Sequence, residues 1–180
     1  MSSGMCYLQI ITMPAISLSP ALFRSVMGSF PTGVTVVTAE SEPGKVHGMT
    51  ANSLTAVSLD PLLILICVDQ KARLLGHLKA QRRFGVNILK DSQQRLSEFF
   101  ALPEQDPTEE AGLGVRFRWT DSRIPLLEDA LAHITCNVVA QYMSGDHTIF
   151  VGEVQSLELH EGEPLVHHRG GYHRLGPRNS

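Results

Sequence analysis

The polar residues between positions 50 and 58, in the stretch TANSLTAVS, are the first candidates for chemistry in this chain. Successive side chains of a strand point to opposite faces, so Thr50, Asn52 and Ser58 would share one face and Ser53 and Thr55 the other. A plain amphipathic strand does not do this. Two interpretations remain open: a strand edge wet on both faces, or a bulge or loop at Asn52-Ser53 that turns polar groups toward a ligand.

Two basic residues, Lys71 and Arg73, follow an apolar run that predicts a buried strand. They fall at the start of a predicted helix, where free backbone N–H groups and the helix dipole favour an anion such as a phosphate. A solvated surface without a ligand explains the same two charges equally well. The pattern leaves both interpretations open.

Histidines are a further group of candidates. His147 follows Asp146 just past a predicted turn, at the mouth of a strand from which a side chain can reach a cleft. A plain surface histidine is an equal alternative. Four others near the C-terminus lie on a short strand and a Gly turn that scatter them, which favours structural or ligand-facing roles over metal binding. These four are His160, His167, His168 and His173.

The three cysteines, Cys6, Cys67 and Cys136, are odd in number and widely spaced, and no CxxC is present. This pattern argues against a disulfide framework and a structural zinc site, and it favours a reducing cytoplasm. Cys67 and Cys136 have the apolar neighbours of core residues, not the surroundings of a nucleophile.

Composition and missing motifs exclude several classes of function. The formal net charge of −3 offers no basic field for nucleic acid or an anionic membrane, so a small-molecule or protein partner is favoured. No apolar run approaches the roughly 20 residues that span a bilayer. The absence of GxGxxG after a strand, a P-loop, HExxH and GxSxG disfavours a Rossmann fold, an NTPase, a zincin and an α/β-hydrolase.

The elements that must position these residues are mainly strands. The β-branched run GVTVVTA predicts a strand that turns back at Pro43-Gly44. The apolar run Leu62 to Val68 predicts a strand buried on both faces at the centre of the sheet. Ser19-Pro20 predicts a helix start, and the helix should end near Gly28. Residues 103–112, PEQDPTEEAG, predict an exposed loop.

Strands are also predicted from about 130 to 141 and from 147 to 159, joined by a turn at MSGD. Sequential hairpins of this kind favour a mostly antiparallel barrel with a few peripheral helices over a doubly wound sheet. We expect one domain over residues 19–180. Residues 1–18 are expected to form a flexible extension, because they contain no Lys or Arg and lack the pattern of a signal peptide.

Five blocks of the sequence, taken together and in order, resemble the flavin reductase-like family. They are FRSVMGSFPTGVTVVTA, HGMTANSLTAVSLDP, RRFGVNIL, GDHTIFVGEV and PLVHHRGGYHRL, and they cover about residues 20–175. The resemblance implies a mainly β, α+β fold: a split antiparallel β-barrel of the FMN-binding type. It also implies a homodimer that binds FMN or FAD near the subunit interface and reduces it with NADH or NADPH.

The resemblance further implies a set of flavin-site residues. The PTGVT segment resembles the part beside the flavin, and TANS with Ser58 resembles the part that hydrogen-bonds the ring edge and ribityl chain. Relatives often carry Ser-Ser-x-Thr where this chain has Lys71, Ala72, Arg73 and Leu74. Binding of the phosphate through hydroxyls is then not expected, and Lys71 and Arg73 would substitute electrostatically. The implied cofactor-binding residues are Pro31, Thr32, Gly33, Val34, Thr35, Thr50, Ala51, Asn52, Ser53, Ser58, Lys71, Arg73, His147 and Tyr172, the last two near the nicotinamide.

The expected activity is hydride transfer from a nicotinamide to the flavin, which requires two rings held together but no protein acid or base. Reduced flavin would pass to a partner flavin-dependent monooxygenase in the cytoplasm. A non-catalytic flavin-binding or flavin-sensing module is the alternative. An oxidase of the pyridoxamine-phosphate type is disfavoured by the GDHTIFVGEV and GGY blocks. No metal, nucleic-acid partner or membrane partner is expected.

Overall fold

The computed structural model describes residues 17–177, so most of the predicted extension over residues 1–18 lies outside the described part. This part forms twelve strands, four α-helices and one short 3-10 helix at Asp91–Gln93. The helices are α1 Pro20–Gly28, α2 Leu74–Gln81, α3 Gln94–Phe100 and α4 Pro107–Gly112. The strands are β1 Thr32–Gly33, β2 Thr35–Glu42, β3 Lys45–Ala51, β4 Thr55–Leu59, β5 Leu62–Asp69, β6 Arg83–Ile88, β7 Phe117–Trp119, β8 Pro125–Leu127, β9 Ala132–Ser144, β10 His147–Leu159, β11 Val166–His168 and β12 Gly171–His173.

Seven strands form one antiparallel sheet in the order β3-β2-β6-β9-β10-β5-β4. Its two edge strands, β3 and β4, are neighbours in the chain but do not pair with each other, so the barrel is open at this point. Two smaller sheets, β1-β11-β12 and β7-β8, lie beside it. The predicted mainly β, split antiparallel barrel is confirmed.

Both predicted hairpin turns are present. Gly44 adopts a φ of +77° between β2 and β3, and Gly145 a φ of +63° between β9 and β10. Such left-handed conformations suit glycine because it has no Cβ. These turns set the register, pairing Thr35 with Ala51 and His147 with Ser144.

The prediction for β5 was wrong in one respect. Ile64, Ile66 and Val68 are buried, but Leu63 and Leu65 on the other face are only half-buried. The strand lies between β10 and the edge strand β4, whereas β9 is the central strand of the order. An apolar run shows that both faces of a strand are hydrophobic. Whether each face is buried depends on other elements that pack against it, and the run does not specify them.

The helices follow their local capping signals. Ser19 caps α1, because its side-chain oxygen accepts the N–H of Leu22 at 3.2 Å. The predicted loop over residues 103–112 was wrong, because it contains α4, which Asp106 caps by accepting the N–H of Thr108 at 2.7 Å. Pro107 at the first helical position completes this start signal. Within residues 17–177, no helix is long and apolar enough to cross a membrane.

The core is tied together by one buried amide as well as by apolar contacts. The Asn87 side chain donates to the carbonyl of Val36 at 2.8 Å and accepts the N–H of Leu127 at 2.7 Å. It therefore links β2, β6 and the short strand β8, which sequence reasoning missed. A buried amide must satisfy its donors and acceptors, so this contact fixes where the β7–β8 hairpin packs.

Candidate functional site

A groove of about 910 Å³ runs between α1, the β1 segment and the loop at residues 52–54 that joins β3 to β4. One wall is apolar and consists of Phe23, Met27 and Phe30. The side formed by the 52–54 loop carries polar groups, including Asn52. A groove with one apolar wall and a few polar groups suits a flat aromatic ligand that has a polar edge.

Strand β1 forms the floor of the groove. Thr32 pairs with His167 of β11, and its hydroxyl Oγ1 is buried without a hydrogen-bond partner among the described residues. A Cβ built on Gly33 would meet no described atom within 4 Å, so the floor is open above this glycine. A buried hydroxyl without a partner is costly, and a ligand in the groove would satisfy it.

The loop at residues 52–54 is held by Ser53, whose side chain bonds the backbone of β5 as a neighbouring strand would. The Ser53 hydroxyl accepts the N–H of Cys67 at 3.0 Å and donates to its carbonyl at 3.1 Å. The Thr35 hydroxyl holds Ala51, the residue before the loop, by donating to its carbonyl at 2.7 Å. Asn52 is exposed to the groove. Of the two interpretations of the broken polar pattern, the loop is therefore the observed one.

Several of the expected site residues have structural contacts instead of positions in the groove. Val34 is a core residue with 2% exposure. Thr50 donates to the carbonyl of Ser97 at 2.7 Å, and the Ser58 hydroxyl accepts the N–H of Asp60 at 3.1 Å. The groove itself is lined by the expected residues Pro31, Thr32, Gly33, Thr35, Asn52 and Ser53.

Three other expected residues lie away from the groove, where β5 and β10 meet. Arg73 forms an ion pair with Glu104 at 3.1 Å, and the backbone N–H of Lys71 donates to Asp69 at 2.7 Å. His147 Nδ1 lies 2.8 Å from a carboxylate oxygen of Asp146. The flavin-binding roles of Lys71, Arg73 and His147 stay predictions.

Tyr172 lies behind a histidine that sequence reasoning did not place in the site. Its hydroxyl is 2.8 Å from Ser97 Oγ, and its ring meets that of His167 edge-on, with centroids 5.6 Å apart. His167 lines the groove and Tyr172 does not. The pairing of β11 with β1 brings His167 there, and this pairing has no local sequence signal.

Helix α1 also contributes residues that were missed. Phe23, Arg24 and Met27 line the groove, yet α1 has no buried residue in the described chain. The Ser19-Pro20 start signal predicted this helix correctly. A helical period shows which residues share a face, but not whether a core, a ligand or another subunit covers that face.

A separate polar cluster links the ends of β9 and β10. Ligand-type atoms of His133, Glu158 and His160 lie within 4.8 Å of one another. The Arg118 guanidinium bonds the Glu158 carboxylate and holds its pKa below the usual range. His133 bonds the Leu127 carbonyl at 2.7 Å, and burial lowers the pKa of this histidine. Because a cation already bonds the carboxylate, the cluster favours a structural role for His160.

Comparisons with known proteins agree with this geometry. The family model described as "Flavin reductase like domain" matches residues 27–176. An NADH-dependent flavin reductase of Rhodococcus sp is 41% identical over 160 residues, which cover 88% of each chain. The reductase component of a 4-nitrophenol 4-monooxygenase/4-nitrocatechol 2-monooxygenase from Rhodococcus opacus is 36% identical over 160 residues, covering 89% of this chain and 83% of that protein.

A solved structure shows the same fold. The Streptomyces globisporus NADH:FAD oxidoreductase in complex with NAD and FAD fragments superposes with a TM-score of 0.80 at 36% identity, covering 92% of this chain and 100% of that one. The chain belongs to the flavin reductase like domain family.

The groove residues fit a flavin on their own chemistry. The open floor at Gly33 admits a flat ring, and the apolar wall of α1 matches its hydrocarbon part. Thr32 Oγ1 and the Asn52 amide supply hydrogen bonds that a polar ring edge requires.

We predict that two neighbouring substitutions affect different properties of the protein. Asn52→Ala should raise the flavin Kd about three- to tenfold, the cost of one ligand hydrogen bond, and leave Tm unchanged. Ser53→Ala should cost about 1–2 kcal/mol of stability, because both Cys67 backbone groups lose their partner. That corresponds to a drop in Tm of about 2–8 °C.

Flavin fluorescence quenching and thermal unfolding measure the two effects. An Asn52→Ala protein that binds flavin with the wild-type Kd would remove Asn52 from the site. A Ser53→Ala protein with the wild-type Tm would show that the loop is held by other contacts.

Proposed function

We propose that this protein is an NAD(P)H-dependent flavin reductase that binds FMN or FAD in the groove and reduces it at the expense of NADH or NADPH. The observation that carries the proposal is the unpartnered Thr32 hydroxyl beside the open floor at Gly33, in a groove that Asn52 also lines. The family match over residues 27–176 supports the same assignment.

The chain's own contribution is positioning. A bound flavin supplies the acceptor for the hydride that leaves the nicotinamide. Strand β1 and the 52–54 loop orient the ring, and the apolar side chains of α1 exclude water from one side of it. Ser53 and Thr35 hold the loop so that Asn52 keeps a fixed position.

The groove has few ionisable side chains. Among the described residues that line it, only Arg24 and His167 have ionisable side chains. The lining thus lacks the paired carboxylates of general acid–base catalysis. It also has no negative charge to repel a phosphorylated, electron-rich ligand.

The reduced flavin is proposed to serve a flavin-dependent monooxygenase. One relative is named as the reductase component of such an enzyme. One side of the groove is formed by α1, whose described side chains are not buried, so a reduced ring can leave without unfolding of the chain. Free thiols at Cys67 and Cys136 support a cytoplasmic location.

We also propose that the protein is a homodimer. Helix α1 exposes Val26 at 62%, and Leu59 of the edge strand β4 is 87% exposed. A nine-residue helix with no buried side chain is marginal in water unless another surface covers it. A second copy that packs on α1 and β4 would cover both and border the groove.

The reductase assignment predicts rapid oxidation of NADH when the protein is mixed with NADH and FMN. Turnover should be on the order of 1 to 1000 per second and proportional to protein concentration. Loss of the nicotinamide absorbance measures it. If the protein binds flavin but NADH is oxidised no faster than in the protein-free mixture, the protein is a non-catalytic flavin-binding module.

The chain has a mass of 19.7 kDa, and a dimer predicts that sedimentation equilibrium gives about twice this mass in solution. Val26→Glu or Leu59→Glu should shift it toward the monomer, because a buried unpaired charge opposes association. Leu102→Glu, at an exposed position after α3, is the control. A wild-type monomer, or variants that stay dimeric, would contradict this interface.

A further inference from the structure

A second cavity continues the groove at the C-terminal end of α1. It has a volume of about 440 Å³ and shares Arg24, Gly28 and Gly170 with the first. Its lining consists of Arg24, Ser25, Gly28, Ser29, Arg169 and Gly170. A ligand whose ring lies in the groove can therefore extend directly into this cavity, where two arginines face it.

The backbone holds the two arginine-bearing segments together. The N–H of Arg169 donates to the carbonyl of Gly28 at 2.8 Å. Arg169 has a φ of +50°, a left-handed conformation that is unfavourable for a residue with a Cβ. A Cβ on Gly28 would lie 3.7 Å from the Arg169 Cα, so the two segments are in close contact. The turn between β11 and β12 thus fixes Arg169 against the end of α1.

The positive charge of this cavity is not neutralised within the described chain. Neither Arg24 nor Arg169 has a carboxylate within 4 Å among residues 17–177, and residues 1–16 contain no Asp or Glu. Six other arginines of the described chain have such partners, whereas Arg82 and Arg95 also have none; the six are Arg73, Arg83, Arg116, Arg118, Arg123 and Arg174. Two cations lining one cavity repel each other, and a bound anion relieves that repulsion.

The end of a helix normally presents carbonyl groups that would repel an anion. Here these carbonyls are occupied. That of Val26 accepts the N–H of Ser29, that of Met27 accepts the N–H of Phe30, and that of Gly28 accepts the N–H of Arg169. The guanidinium groups therefore dominate the electrostatics of the cavity.

We propose that Arg24 and Arg169 bind the phosphate or diphosphate of the nucleotide whose ring occupies the groove. The planar guanidinium fork matches phosphate oxygens bidentately. This inference rests on the proposed flavin reductase function and adds a subsite to it. It moves the anion site from Lys71 and Arg73, which lie outside the groove, to the end of α1.

The phosphate has two possible sources, the flavin and the nicotinamide dinucleotide, and riboflavin separates them because it has the flavin ring but no phosphate. The experiment uses the full chain, with Arg24→Gln, Arg169→Gln and the double variant. The matched control is Arg95→Gln, which removes an exposed positive charge on α3 that lines neither cavity. The Kd values of riboflavin, FMN and FAD are measured by fluorescence quenching, and the KM of NADH is measured with riboflavin as acceptor.

If the phosphate belongs to the flavin, each cavity substitution raises the Kd of FMN or FAD about tenfold and changes that of riboflavin far less. If it belongs to the nicotinamide dinucleotide, all flavin Kd values stay constant and the KM of NADH rises about tenfold. In either case Arg169→Lys, which keeps the charge, loses less affinity, and added salt reduces the difference from wild type.

Two outcomes would overturn the proposal. In one, the Arg24 and Arg169 variants match Arg95→Gln in every measurement. In the other, riboflavin affinity falls as much as FMN affinity, which would mean that the arginines shape the ring site. If either outcome is found while the wild-type protein binds flavin and oxidises NADH, only the phosphate subsite is rejected. A wild type that neither binds flavin nor oxidises NADH rejects the reductase function itself.

Discussion

The structure depends on how the chain crosses the opening of its own barrel. The two edge strands of the main sheet, β3 and β4, are consecutive in the chain but are not hydrogen-bonded to each other. Three residues, 52–54, make the crossing, and the Ser53 hydroxyl supplies the two hydrogen bonds to Cys67 that a paired strand would otherwise provide. This substitution keeps the barrel open without leaving β5 unsatisfied, and it turns Asn52 toward the groove.

The remaining parts of the site follow from that opening. Strand β1 pairs with β11 and not with the main sheet, which places Thr32 and His167 side by side below the opening. Helix α1 covers one side of the groove with apolar side chains that no other described element buries. The same helix serves the proposed ring site, the proposed phosphate subsite and the proposed subunit contact. A change on one of its faces is therefore expected to affect more than one property.

Local signals in the sequence predicted the elements well. The Ser19 cap and the Gly44 turn each depend on a few adjacent residues, and each is present. The loop at Asn52 was one of two interpretations left open, and it is the one observed. Residues 103–112 were misjudged because the acidic composition suggested a solvated loop, although Asp106 and Pro107 already formed a helix start. The errors that remain concern how distant elements cover one another, as at β5.

The residues that line the groove were predicted only in part for the same reason. The resemblance supplied Thr32 and Asn52, which lie in the groove. It could not supply Arg24 or His167, because their positions depend on the packing of α1 and on the β1–β11 pairing. Lys71 and Arg73 follow the buried strand as expected, but Arg73 is bound to Glu104 and neither residue lines the groove.

The central claim is that the flavin ring lies in this groove, over Gly33 and between Thr32 and Asn52. A crystal structure of the protein in complex with FMN tests it most directly. We predict ring density against the β1 floor, with the Thr32 hydroxyl and the Asn52 amide within hydrogen-bond distance of its polar edge. Ring density outside the groove, for example beside Lys71 and His147, would contradict the account.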